Sequence, residues 1–148
     1  MGCACGYQCH RDTARLPVFY EALYASGSGR IINIASLGAF LAFHNVAVYC
    51  ASKAAVLSLT KSLACEWARD GISVNAIARG VMPTDLNDRI VTGTLRGEEM
   101  LSRTPMRRFG RSEELVGTAL LLASAASSFL TGQCIAVRWR ISSSGVNQ

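Results

Sequence analysis

The sequence lacks an apolar run long enough to cross a membrane, since no segment approaches the roughly 18 uninterrupted apolar residues that a transmembrane helix needs. Its start lacks both the apolar core of a secretory signal and the arginine- and serine-rich pattern of a transit peptide. Charged residues make up only 17%, against 50% hydrophobic residues, which excludes a disordered tail. We therefore expect a cytoplasmic protein without a membrane partner, folded as one domain over residues 1–148.

A disulfide framework is absent as well. The six cysteines are scattered along the chain, at Cys3, Cys5, Cys9, Cys50, Cys65 and Cys134. Cys50 and Cys65 fall in a helical pattern and Cys134 falls in a strand pattern, so we expect these cysteines to be reduced thiols. The first three, together with His10, match neither a paired C-x-x-C zinc motif nor a haem-attachment motif. An irregular terminus is favoured over a zinc site, and we predict no metal site.

Positive charge comes almost entirely from arginine, with thirteen Arg against two Lys and a net charge of +5. The basic residues are neither interleaved with aromatics nor confined to one helix face, so nucleic acid is not an expected partner. One stretch is rich in arginine and contains Arg103, Arg107, Arg108 and Arg111. These side chains either bind a carboxylate or phosphate group of a ligand or simply face solvent. His44, in a preceding loop, either touches substrate or is likewise solvated.

The hydrophobic pattern alternates between helices and buried strands, which is typical of an α/β domain with a parallel sheet. Strands are predicted at residues 30–35, 72–78 and 133–137, each β-branched and apolar enough to be covered on both faces. Helices are predicted at residues 12–26, 49–69 and 94–103, with a further one that Ser112 caps and that is apolar almost all round. The predicted fold is thus a partial Rossmann-type, doubly wound sheet.

Polar residues gather where the predicted strands end. Ser36 follows the first strand, the segment Gly80 to Thr84 follows the second, and Tyr49 and Lys53 lie on the helix between them. Ligands bind beyond the carboxyl ends of the strands in open parallel sheets, so these residues mark the candidate site.

Tyr49 and Lys53 are four positions apart, so their side chains lie on the same side of a helix about 6 Å apart along its axis. An ammonium about 4 Å from a phenol oxygen stabilises the phenolate by about 4 kcal/mol at an effective dielectric near 20. Such a tyrosine exchanges a proton more readily than an isolated one. Taken alone, however, the pair equally fits a half-buried tyrosine beside a lysine whose stem is covered and whose ammonium is solvated.

The wider pattern is more specific. The segments GRIINIAS, YCASKAAVLSLTKSLACEWA, GISVNAIARGVMPT and FGRSEELVGTALLLASAASSFLTGQCIAV, in this order and spacing, closely resemble the catalytic half of the short-chain dehydrogenase/reductase family. Within that family, the arginine-rich stretch and the terminal SGVNQ look like gluconate 5-dehydrogenase-like sugar and sugar-acid dehydrogenases.

The resemblance implies a hydride exchange between NAD or NADP and a small carbonyl or secondary alcohol. It implies that Ser36 polarises the substrate oxygen, that Tyr49 is the general acid/base, and that Lys53 favours the ionised tyrosine and holds the nicotinamide ribose. It also implies that Tyr49 contacts the cofactor along with Lys53, and that Gly80, Val81 and Thr84 form the turn against the nicotinamide side of the cofactor. Homodimers or homotetramers are implied as well, through the helix of residues 49–69 and the one after Ser112.

The chain departs from the family pattern in three ways. It has no glycine-rich phosphate loop after a strand, Arg79 replaces the proline of the cofactor turn, and RWR at 138–140 replaces Asp-Gly-Gly. We expect an N-terminally truncated catalytic domain whose residues 1–11 and 138–148 are irregular. The alternative is a catalytically inactive fragment that acts only as a self-associating structural domain.

Overall fold

The computed structural model describes residues 18–138, and within them three parallel strands form one sheet in the order β1-β2-β3. The strands are β1 (Arg30–Ser36), β2 (Ser73–Arg79) and β3 (Cys134–Val137). The helices are α1 (18–25), α2 (Ala47–Trp67), α3 (Asp88–Val91), α4 (Leu95–Ser102) and α5 (Val116–Ala123). The predicted α/β architecture is confirmed.

β2 is the central strand and forms the middle of the core. Val74 and Ala78 are fully buried, and Ile77, which points to the other face, is 1% exposed. The register pairs Ile34 with Ile77 and Ser36 with Arg79, so the carboxyl ends of β1 and β2 lie level. Polar residues that follow either strand therefore emerge at one edge of the sheet.

The two crossover helices cover opposite faces of the sheet. On one face, Val56 and Leu57 of α2 pack against small residues of β1 and β2, including Ala35 and Ala78. Small side chains on the strands allow the helix to approach the sheet closely. The alternate β2 residues are also buried, and α5, which contacts β1 and β2 and buries Leu122, lies over them.

Two expectations about burial are wrong within residues 18–138. Ile34 of β1 is 50% exposed and Leu120 of α5 is 64% exposed, so neither element is covered on all sides. β1 is an edge strand of the described sheet, with β2 as its one strand neighbour within residues 18–138. No helix in this range is long and apolar enough to cross a membrane.

The helix predicted from Ser112 is shorter than expected. Residues Ser112–Leu115 form a 3₁₀ turn, α5 follows, and it ends where Ser124 adopts an extended conformation. The Ser124 hydroxyl accepts a hydrogen bond from the Ala126 amide, which begins a separate turn. The other predicted helix ends agree better, since Gly71 has a left-handed φ of 73° and closes the turn that follows α2.

Asn75 fixes where β3 begins. Its side-chain amide donates to the Leu130 carbonyl at 2.8 Å, and its side-chain oxygen accepts from the Gln133 amide at 3.0 Å. Next to it, Val74 bonds to Thr131 Oγ1 and to the Gly132 amide. These contacts hold the segment before β3 alongside β2, so β3 enters the sheet with Cys134 opposite Ala76.

An ion pair secures the end of the long segment between β2 and α5. Arg108 donates to both carboxylate oxygens of Glu114, at 2.9 and 2.6 Å, and the Arg111 amide donates to the same carboxylate at 2.8 Å. These hydrogen bonds, first from Arg108 and then from Arg111, lower the pKa of Glu114 from 4.5 to about 2.

This shift predicts a pH dependence of stability. Because the pKa of Glu114 is lower in the folded chain than in the unfolded one, its stabilising contribution is fully present above about pH 4.5 and is lost as the pH falls towards 2. The difference in melting temperature between the wild type and Glu114→Gln should therefore shrink over that range. Glu113→Gln, at the neighbouring exposed position, is the matched control. If the melting temperatures of the two variants depended on pH in the same way, the stabilisation could not be assigned to the lowered pKa of Glu114.

Candidate active site

Ser36 ends β1 with an extended backbone and is only 9% exposed. Its Oγ accepts a hydrogen bond from the Gly38 amide at 3.2 Å, which orients the side chain at the edge of the sheet. No acceptor for the hydroxyl proton lies among residues 18–138, so this proton is free to be donated to a ligand.

Tyr49 and Lys53 occupy the first two turns of α2. The Lys53 ammonium lies 5.8 Å from the centroid of the Tyr49 ring and donates a hydrogen bond to the Ile34 carbonyl at 3.0 Å. Lys53 is 8% exposed, whereas Tyr49 is 39% exposed. The lysine is thus directed into the sheet edge beside the tyrosine, and the interpretation as a solvated surface lysine is wrong.

Gly38 brings the loop after Ser36 against the start of α2. A Cβ atom at this position would lie 3.0 Å from Cys50 Sγ and 3.5 Å from Cε1 of Tyr49. Only glycine permits this approach without displacement of a neighbour. The structure therefore brings the three predicted catalytic residues together at one end of β1 and α2.

The predicted cofactor turn follows β2 at the same edge. The Gly80 amide donates to the Val137 carbonyl at 3.0 Å, and a Cβ atom on Gly80 would lie 2.9 Å from Cβ of Arg138. Gly80 and Val81 line a cavity of about 200 Å³. Thr84 is not part of this lining. Its backbone amide donates a hydrogen bond to Oδ1 of Asn87 at 2.7 Å, which holds Thr84 in a separate turn.

A second and larger cavity, of about 620 Å³, lies between the loop of residues 41–45 and α4. That loop connects Ser36 to the helix that carries Tyr49. Arg96 of α4 bridges the two walls, since its Nη2 donates to the His44 carbonyl at 3.1 Å. Arg96 was missed from the sequence because its partner lies 52 positions away and no local pattern connects them.

The predicted arginine cluster is largely accounted for by ion pairs and solvent. Arg103 pairs with Glu99 at 2.7 Å, on an exposed side of α4, and Arg108 pairs with Glu114. Within the part of the chain that the structure describes, no group of three or more His, Cys, Asp or Glu residues is placed to hold a metal ion. The cysteines and histidine near the start lie outside the described residues.

Comparison with known proteins identifies the family. Residues 15–138 match the profile of the family described as enoyl-(acyl carrier protein) reductase. The chain belongs to the short-chain dehydrogenase/reductase family. Gluconate 5-dehydrogenase of Gluconobacter oxydans (strain 621H) is 42% identical to this chain over 111 residues. The 2-dehydro-3-deoxy-D-gluconate 5-dehydrogenase of Bacillus subtilis (strain 168) is 48% identical over 111 residues.

A solved member of the short-chain dehydrogenase/reductase family also superposes on the fold. The crystal structure of a gluconate 5-dehydrogenase from Burkholderia cenocepacia J2315, in complex with NADP and tartrate, gives a TM-score of 0.83 at 39% identity. The match covers 88% of this chain and 51% of that one, while the two curated relatives are covered to 43% and 44%. The chain thus spans about half the length of these relatives, and the resemblance to the family is confirmed over that half.

The tight contact at Gly80 predicts opposite effects for two glycine substitutions. Gly80→Ala forces the end of β3 to shift and should destabilise the fold by about 1–3 kcal/mol. Gly117→Ala is the matched control on the exposed side of α5, where an added Cβ meets nothing within 4 Å. It should stabilise by up to about 1 kcal/mol through helix propensity. Urea unfolding measures both, and a neutral Gly80→Ala would contradict the packing.

Proposed function

We propose that this protein is an NAD(P)-dependent oxidoreductase that transfers hydride between a nicotinamide cofactor and a carbonyl or secondary alcohol. The supporting observation is the position of the Lys53 ammonium, which lies beside the Tyr49 ring and is bonded to β1 two residues before Ser36. Membership of the short-chain dehydrogenase/reductase family adds to this support.

Each of the three side chains has a distinct role in the proposal. In the reducing direction the carbonyl carbon accepts hydride, and Tyr49 gives the phenol proton to the carbonyl oxygen. Ser36 donates a hydrogen bond from its free hydroxyl to the same oxygen and holds it in place, without giving up its proton. The positive charge of Lys53 favours the tyrosinate that forms. Alcohol oxidation reverses these steps.

The described residues fit part of the cofactor. Lys53 uses one of its three ammonium donors on the Ile34 carbonyl, so two remain for the ribose hydroxyls next to the nicotinamide. Gly80 and Val81 would line the nicotinamide side, and Thr84 is assigned there only by family resemblance. The loops of residues 37–46 and 80–87 contain one glycine each, so residues 18–138 contain no glycine-rich cradle for the pyrophosphate at these strand ends.

A sugar acid is the proposed substrate class. The relatives in Gluconobacter oxydans and Bacillus subtilis are named for gluconate and for 2-dehydro-3-deoxy-D-gluconate, which are polyhydroxylated carboxylic acids. The solved relative from Burkholderia cenocepacia contains NADP and tartrate. We extend this class of substrate to the present chain on the strength of that similarity.

The proposal predicts that Tyr49→Phe lowers kcat by about 100-fold or more, since the ring packing is kept while the proton donor is lost. Affinity for NADH should stay within about twofold, because Lys53 still provides the ribose contacts. Tyr24→Phe, at an exposed position of α1, is the matched control. NADH and NADPH oxidation by the full chain, with a fluorescence titration of each cofactor, measures both quantities. Unchanged turnover in Tyr49→Phe would exclude the assigned role.

A second candidate function is self-association without catalysis. Its support is the exposed side of α2, which presents small side chains that permit close helix packing, together with the exposed apolar side of α5. The exposed small residues of α2 include Ala51, Ala54, Ser58 and Ser62. The proposed partner is a second copy of this chain, as a homodimer or homotetramer.

Self-association through α2 predicts that Ala54→Arg shifts the chain towards the monomer, because a bulky charge on this surface prevents close packing. Leu86→Arg adds the same side chain at a loop position that is 94% exposed and should leave the assembly unchanged. Sedimentation equilibrium of the two variants and the wild type measures the effect. A wild-type chain that is monomeric at all concentrations would exclude this candidate.

A further inference from the structure

The larger cavity beside the candidate active site has apolar walls and a small number of charged groups. Its charged side chains are Arg96 and Glu99 on α4 and Arg103 directly after it, and His44 faces them from the opposite loop. The loop wall ends at Asn45, four residues before Tyr49, so the cavity adjoins the start of the helix that carries the proposed proton donor.

The charges in this cavity do not cancel. Arg103 and Glu99 form an ion pair at 2.7 Å, and their side chains are 64% and 63% exposed. Arg96 has no carboxylate within ion-pair distance among residues 18–138. An arginine is always protonated at physiological pH, so Arg96 leaves one uncompensated positive charge in the cavity wall.

The contact that Arg96 does make leaves most of its hydrogen-bonding capacity free. Nη2 donates to the His44 carbonyl, which anchors the guanidinium between the two walls. A guanidinium has five N–H donors in a planar fork, so an edge remains for a second acceptor. A carboxylate fits such an edge with two parallel hydrogen bonds, and a half-buried setting strengthens them.

We infer that Arg96 is a specificity-determining residue that binds the carboxylate of an acidic substrate in the cavity between residues 41–45 and α4. This inference rests on the proposed function, because it assigns a recognition group to the same substrate. Arg96 holds the acid end of the substrate, while the carbonyl or alcohol to be converted lies towards Tyr49 and Ser36. Neutral polyols lack the group that this arginine recognises.

The test is an equilibrium titration of the full chain with D-gluconate and with D-sorbitol, a neutral polyol of the same length, at constant ionic strength. Chemical shift changes in NMR spectra report binding without requiring turnover or cofactor. Wild type should bind gluconate more tightly than sorbitol. Arg96→Gln should weaken gluconate binding roughly tenfold or more and leave sorbitol binding within about twofold. Arg69→Gln, the matched control, removes an exposed arginine outside this cavity and should leave both unchanged.

Arg96→Lys separates charge recognition from a purely structural role. A lysine keeps the positive charge but lacks the planar guanidinium that can donate two parallel hydrogen bonds. The affinity of Arg96→Lys for gluconate should therefore lie between the affinities of wild type and Arg96→Gln. The inference is overturned if wild type does not prefer gluconate, if Arg96→Gln retains that preference, if Arg69→Gln loses it equally, or if sorbitol binding falls in parallel. None of these outcomes depends on hydride transfer, which the Tyr49→Phe experiment tests separately.

Discussion

The hydrogen bond from the Lys53 ammonium to the Ile34 carbonyl is the contact on which the candidate site depends. Lys53 is almost fully buried, and a buried charge is tolerated only where a polar partner replaces water. The carbonyl belongs to β1, so the bond ties the start of α2 to that strand. Tyr49 lies about one turn before Lys53 on the same helix, next to the loop that follows Ser36.

The elements that position the site were predictable because each has a strong local signal. The strand before Ser36 is rich in β-branched residues, and Gly71 marks the end of the connection after α2 through its left-handed backbone. The same apolar composition, however, predicted more burial of β1 and α5 than the structure shows. Ile34 and Leu120 are apolar enough for a covered position, yet burial is set by tertiary packing, and they are 50% and 64% exposed within residues 18–138.

The arrangement of arginines shows where local reasoning ends. Glu99 on α4 and Arg103, the residue that caps this helix, are four positions apart, so their ion pair could have been predicted from helical spacing. The bond from Arg96 to the His44 carbonyl spans 52 positions and depends on how α4 lies against a loop. Sequence clustering drew attention to arginines that are paired or exposed. Arg96, which combines an unneutralised charge with a place in a cavity wall, lay outside that cluster.

Asn75 has a consequence at the opposite end of the sheet. Its two side-chain hydrogen bonds add to the main-chain pairing just before β3 and so help to set the register of that strand, and the register decides which carbonyl meets the Gly80 amide. A slip of one residue would turn Val137 to the other face and move Arg138 from its place beside that glycine. The shape of the nicotinamide-side turn is therefore controlled by an amide about five residues, or roughly 16 Å, away. A substitution of Asn75 would therefore alter the cavity beside Gly80 even though Asn75 does not line it.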